Sequence, residues 1–262
     1  MHYKRFLQLF GIFFVIIGEC TSDYCDRTKL CLSQGDHIAC GNDGSFSSNC
    51  KGKCELVDMA PYQSDILHYH NSYRNDIAGG NLKCFPPAAR MPVVKWDPEL
   101  SYIAGFNVKT CVFAHDNCRS TYNYTYSGQN IFYILTTRLT LLVGDMIANA
   151  IDLWYNEYFY ADYKLLMKYN KTTPQTGHFT TLVCDRQVAV GCACLKSVYV
   201  DTNNRTKLFY IFTCNYASTN IRNYATYQFG EPGSMCKMPS STYPNLCDDN
   251  DIDANNFRWY SF

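Results

Sequence analysis

The chain has 262 residues, with 23 basic and 23 acidic side chains and a formal charge of zero. It carries no basic stripe of the kind that neutralises phosphates, which excludes a nucleic-acid-binding role. Its length is enough for one sizeable core or two, and 15 cysteines with 22 tyrosines mark it as a cross-linked, aromatic-rich chain.

At the start, Lys4 and Arg5 precede an apolar run from Phe6 to Gly18 and a polar boundary at Glu19-Cys20. That order predicts a secretory signal peptide over residues 1–20, and the run is too short for a membrane-spanning helix, which needs roughly 20 residues. No later stretch is long enough to span either. Cleavage after Cys20 leaves 14 of the 15 cysteines, an even number that suits pairing in an oxidising compartment. The sequons at Asn123, Asn170 and Asn204 fit the same route and predict surface glycosylation.

Residues 21–60 form a loop-rich arm with Cys25, Cys31, Cys40, Cys50 and Cys54. From Pro61 the pattern turns helical, with Ile66, Tyr69, Tyr73 and Ile77 on one face and Gly79-Gly80 as the stop. Asp97 as N-cap and Pro98 at the first helical position start a second helix, with Leu100, Ile103, Ala104 and Val108 as its stripe. A third helix is predicted from Leu141 to about Tyr160, with Met146, Ile147, Ala150, Ile151 and Trp154 inward. Thereafter His178–Val183, Val188–Val200 and Lys207–Tyr216 read as strands, the last two joined by a hairpin over residues 201–205. Helices followed by strands predict an α+β sandwich over 61–230. Residues 231–262 are again loop-like.

Four motifs recur in order: HNSYR (His70–Arg74), SGQNI (Ser127–Ile131), GHFTTLV (Gly177–Val183) and FTCNYASTN (Phe212–Asn220). Together they resemble the CAP superfamily of cysteine-rich secretory, antigen 5 and pathogenesis-related-1 proteins. The arm DYCDRTKLCLSQGDHIACGNDGSFSSNC is similar to the insect venom allergen 5 (antigen 5) branch. The segment AGGNLKCFPPAARMPVVKWDPELSYIAGFNVKTC and the tail GEPGSMC…YPNLC resemble more specifically the dipteran members of that branch. The resemblance implies a three-layer α-β-α sandwich with a disulfide-rich arm and tail. It implies the pairs Cys25–Cys40, Cys31–Cys118, Cys50–Cys111 and Cys192–Cys214. The pairs left over are Cys54–Cys84, Cys184–Cys194 and Cys236–Cys247.

The family site is two histidines and two acids around a cavity. By motif, His115 (of CVFAHD) and His178 take the histidine positions and Glu157 one acidic position. Gln129 stands where the family often has glutamate, and an amide supplies neither a base nor a charge. Thr181 and Cys184 likewise depart from the family's usual glutamine and tryptophan. The implied polar cluster is His115, Gln129, Glu157 and His178, serving mainly to hold the fold. The alternative to that structural role is a site for a divalent metal such as zinc, for which His115 and His178 would be the ligands; no cofactor is required on this reading. His70 and Arg74 share a helix face, but the resemblance makes them structural. No GxSxG motif is present, and the cysteines are better used in disulfides, so the expectation is a protein that is not an enzyme. The implied role is a secreted, allergen-type binder of an extracellular or host protein. Alternatives are carriage of a small lipid-like ligand between helices, or a secreted reproductive-tract factor. An Arg-Gly-Asp loop is absent, since Asn75 separates Arg74 from Asp76.

Overall fold

A computed structural model describes residues 23–31, 35–170 and 175–255. The predicted signal peptide lies outside the described residues. In chain order the elements begin with β1 (Lys53–Leu56), α1 (Gln63–Ala78), β2 (Ala88–Arg90), β3 (Lys95–Trp96), α2 (Pro98–Val108) and β4 (Gly128–Thr136). They continue with α3 (Val143–Asn156), a 3₁₀ turn at Glu157–Tyr160, α4 (Tyr163–Met167), α5 (Gly177–Leu182), β5 (Ala189–Val200), β6 (Thr206–Tyr216), β7 (Gln228–Phe229) and α6 (Ile252–Asn255).

Strand alternation builds the three layers. On β6, Leu208, Tyr210, Phe212, Cys214 and Tyr216 point into a core shared with Met146, Ile147, Ala150, Ile151 and Trp154 of α3 and Ile66 and Ile77 of α1. The residues between them face the other way: Ile211 meets Ala104 and Val108 of α2, together with Ala193 and Leu195 of β5. The sheet, ordered β1-β5-β6-β4, therefore lies between α2 and the α1/α3/α5 layer. Because both faces are covered, β5 and β6 read as nearly continuous buried runs. Gly191 lets α2 lie directly on β5, since a Cβ there would come 2.2 Å from the Ser101 backbone nitrogen. The observed α-β-α sandwich matches the expected fold.

The second helix starts as predicted, with the Asp97 carboxylate accepting from the Leu100 N–H at 2.8 Å. The third ends four residues early as α-helix and tightens into the 3₁₀ turn that carries Glu157. The hairpin closes over residues 201–205, with Asn204 at φ 55°. The expected strand His178–Val183 is a correction: the segment is α5. Phe179, Leu182 and Val183 are buried at helical spacing against the α1/α3 layer, and the Glu157 carboxylate accepts the backbone N–H groups of His178 and Phe179. Those contacts override the β preference of the Thr-Thr-Leu-Val run. Conversely, β4 pairs β6 over its whole length, and the SGQNI motif opens that strand.

Among the described residues five disulfides are present: Cys25–Cys40, Cys31–Cys118, Cys50–Cys111, Cys192–Cys214 and Cys236–Cys247. The pairs Cys54–Cys84 and Cys184–Cys194 are not formed, and all four residues are free thiols. Cys54 packs on the α2 side of the sheet, whereas Cys84 follows α1 on the opposite side. Cys184 belongs to the turn before β5, while Cys194 lies five residues beyond its first residue, about 17 Å along a strand. A disulfide spans at most about 7 Å between Cα atoms.

The HNSYR motif is structural, as its resemblance implied. Arg74 is fully buried and donates to the carbonyl oxygens of Pro92, Leu182, Cys184 and Gln187. Asn71 exchanges two hydrogen bonds with the Val94 backbone. His70 donates from Nδ1 to the Ile66 carbonyl at 2.8 Å and accepts at Nε2 from the Tyr216 hydroxyl at 2.9 Å. Arg74 thus joins α1 to the end of α5, the helix whose first turn carries His178. Its burial also rules out presenting Arg74-Asn75-Asp76 as a recognition loop.

Candidate functional site

Three segments converge at one end of the sheet: the loop after α2, the start of β4, and the first turn of α5. They bring His115, Gln129 and His178 to the wall of a cavity of about 400 Å³, with Arg119, Tyr169, Thr181, Asn220 and Arg222. Glu157 stands behind His178, so the four expected cluster residues occupy one site.

The hydrogen bonds fix the state of each group. Gln129 is nearly buried, and its Nε2 donates to the Asp116 carboxylate at 2.7 Å and to Asn215 Oδ1 at 3.0 Å. Two acceptors on one side place the amide oxygen on the other, where it accepts from His115 Nδ1 at 2.8 Å. His178 Nδ1 bonds Glu157 Oε1 at 2.7 Å, and a carboxylate in that position makes Nδ1 the donor. Both rings in their neutral form therefore carry the proton on Nδ1 and leave Nε2 as a lone pair. His178 also stacks on Trp154 with ring centroids 6.0 Å apart. His115 sits at the mouth with its ring turned to Gln129. Loss of hydration lowers its pKa, and the nearby Arg119 charge lowers it further, against the opposing hydrogen bond to Gln129.

Asp116 is the residue that sequence reasoning passed over, although it follows His115 directly in CVFAHD. Its carboxylate accepts from Gln129, from Asn107 Nδ2 at 3.0 Å and from Arg119 Nε at 2.6 Å. Gln129 therefore relays between a histidine and an acid in the place where an acid would touch the histidine directly. Tyr169 and Arg222 are further members with no local signal in the sequence, whereas Asn215 lies in the FTCNYASTN motif.

The chemistry of the donor set fits a loosely held metal ion. Two Nε2 lone pairs, each on a ring oriented by an oxygen at Nδ1, are the usual arrangement of imidazole ligands. Among the described residues, no third histidine, cysteine or carboxylate groups with them as a ligand, and Arg119 and Arg222 oppose a dication. A zinc ion held by His115 and His178 would take its other ligands from water. Acyl-transfer chemistry has less support. Among the described residues, neither Nε2 has a hydroxyl or thiol hydrogen-bonded to it. Of the two threonines lining the cavity, Thr181 and Thr219, the Thr181 Oγ1 accepts from Asn220 at 2.9 Å; Thr180, buried behind them, donates from Oγ1 to the Thr176 carbonyl at 2.8 Å.

The expected sequon asparagines, Asn123, Asn170 and Asn204, are all exposed. No helix among the described residues is long and apolar enough to cross a membrane.

Comparison with known proteins places this arrangement. The family model described as "CAP: Cysteine-rich secretory protein family" matches residues 67–216. "Venom allergen-1" of Aedes albopictus is 37% identical over 237 residues, covering 89% of this chain and 90% of that protein. "Antigen 5 like allergen Cul n 1" of Culicoides nubeculosus is 36% identical over 199 residues, with 70% and 89% covered. Among solved structures, NaASP2 crystallised with Zn2+ superposes with a TM-score of 0.55 at 25% identity, covering 79% of this chain and 98% of that one.

Proposed function

From the premise that the chain belongs to the CAP family of cysteine-rich secretory proteins, we propose that it is a secreted, non-enzymatic antigen 5-type protein that binds an extracellular or host protein through its surface. The observation that carries this reading is the contrast between cavity and surface. In the cavity the polar groups are largely spent on one another. Just beyond Glu157, Phe159 is 73% exposed and Tyr160 62%, with Tyr163 exposed one turn further on. Aromatic side chains held in the open on short helical turns are what protein interfaces use as anchors. Secretion, glycosylation at Asn123, Asn170 and Asn204, and allergen character belong to the same proposal, supported by the disulfides and by the relatives' names. The test is capture from host plasma or tissue fluid by the immobilised protein. A protein captured by the wild type and lost by Phe159→Ser/Tyr160→Ser/Tyr163→Ser supports the reading. Capture unaffected by the triple variant contradicts this choice of surface.

Carriage of a small lipid-like ligand is the second reading, and a groove of about 490 Å³ beside α2 favours it. Leu56, Met59, Trp96, Tyr102 and Phe106 are among its lining residues. The seam between α1 and α3 is less favourable, because Tyr73 and Tyr155 stack there with centroids 4.1 Å apart. Tyr155 also donates to Asp76 at 3.0 Å, and Tyr73 donates to Asp152. Native mass spectrometry of protein from its source, finding no bound lipid, would count against carriage.

A further inference from the structure

We propose that Cys50, Cys54 and Cys111 form a thiol–disulfide exchange centre, in which the Cys54 thiol exchanges into the disulfide that ties the N-terminal arm to the end of α2. The Sγ atoms of the three residues lie within 4.8 Å of one another, and all three residues are half-buried. The cluster is on the α2 side of the sheet, and none of its three cysteines lines the histidine cavity.

The backbone holds these sulfurs together independently of which two are bonded. Cys54 is fixed on β1 opposite Ser197 of β5. Cys50 lies four residues earlier, across a turn pinned to β5. Gly52 there has φ +69°, and a Cβ would meet the Val198 carbonyl oxygen at 2.3 Å; the Ser197 hydroxyl also donates to the Lys51 carbonyl. Cys111 follows α2 in a left-handed conformation, its N–H bonded to the Val108 carbonyl. The Ser47 N–H donates to the Lys109 carbonyl at 3.0 Å, so the arm stays on the end of α2 without the covalent tie. Among the free thiols this placement is particular to Cys54. Cys184 and Cys194 are sealed in the interior, where burial pushes both thiols up and away from the reactive thiolate. Cys84 is exposed but belongs to no such sulfur group.

The reaction balances within the chain. Cys54 loses its proton and its sulfur attacks Sγ of Cys50 or Cys111. A new S–S bond forms as the old one breaks, and the bonding pair leaves on the displaced sulfur, which takes up a proton. One disulfide and one thiol remain, and no oxidant is consumed. Attack on Cys111 moves the tether of α2 from the arm to β1. Attack on Cys50 closes Cys50–Cys54 and frees the end of α2 from any covalent tie.

The test is peptide mapping of the purified full chain under non-reducing conditions. One portion is quenched in acid at once and another is held for hours at pH 8 without oxidant. Both are then labelled with N-ethylmaleimide and digested with trypsin, which separates Cys50 from Cys54 at Lys51 and Lys53. The expected result is label on Cys54 in the first portion and additional label on Cys50 or Cys111 in the second, with the matching new cross-linked peptide. In Cys54→Ser, label on Cys50 and Cys111 is lost at all times. Label confined to Cys54 after incubation overturns the proposal. So does label on Cys50 or Cys111 in the Cys54→Ser protein, or a Cys54 paired with a cysteine outside the cluster.

Discussion

His70 gives the most quantitative prediction, because its environment is closed. The ring is fully buried, donates to the Ile66 carbonyl and accepts from Tyr216. Burial chiefly, and the Arg74 charge in addition, lower its pKa from 6.5 to about 4. In the unfolded chain the same ring titrates near its ordinary value, so between the two values the unfolded state holds the extra proton. Stability from this group is therefore fully present above pH 6.5 and is lost as the pH falls towards 4. Each pKa unit is worth about 1.4 kcal/mol, so the total loss is about 3 kcal/mol, at up to about 1.4 kcal/mol per pH unit. The assay is urea unfolding at pH 7, 6, 5 and 4.5 with the disulfides intact, comparing the wild type with His70→Gln. The variant is less stable at neutral pH, having lost buried hydrogen bonds, but its stability falls less steeply with acid. Parallel pH slopes for the two proteins, or an NMR titration of His70 near 6.5, would refute the reasoning.

Three other outcomes follow from the same contacts. Arg74→Met leaves four buried carbonyl groups without their donor and is expected to cost about 3 kcal/mol or more; for a chain of this size that lowers Tm by about 6–12 °C in a thermal melt. Glu157→Gln removes charge-assisted bonds to the first turn of α5 and to His178, for a loss of about 2 kcal/mol. The same variant releases the His178 tautomer, which ¹⁵N-detected NMR of the ring would show as mixed occupancy of Nδ1 and Nε2. Zinc should bind weakly at neutral pH, lose affinity in acid as metal binding to imidazole generally does, and give no heat in calorimetry after His115→Ala/His178→Ala; tight binding that survives the double change would sink the two-imidazole site.

What could be read from the residues divides along physical lines. The first three helices declare themselves because a 3.6-residue period is long enough to count, and because Asp97-Pro98 caps one of them locally. The β5–β6 hairpin shows because both faces are covered, which leaves a continuous apolar run broken by a polar turn. The segment after Gly177 misleads, because six residues with two threonines carry no reliable period. Its helical form depends on Glu157 and on α3, which are supplied from elsewhere in the chain. The motif resemblance brought His115, Gln129, Glu157 and His178 to one site, yet the hydrogen bonds that give Gln129 its role run to Asp116 and Asn215. Sequence spacing shows neither contact. Of the leftover pairs, reached by elimination, Cys236–Cys247 forms, whereas the layers place Cys54 and Cys84 on opposite sides of the sheet.

The central claim is that the cavity organises the fold and the surface does the binding. It is tested most directly by taking whichever extracellular protein the wild type captures and measuring its affinity for His115→Ala/His178→Ala, after checking that the variant is folded. The account predicts unchanged affinity, within about threefold, or 0.7 kcal/mol. Loss of binding on changing the two histidines, with the exposed aromatic residues intact, would contradict it.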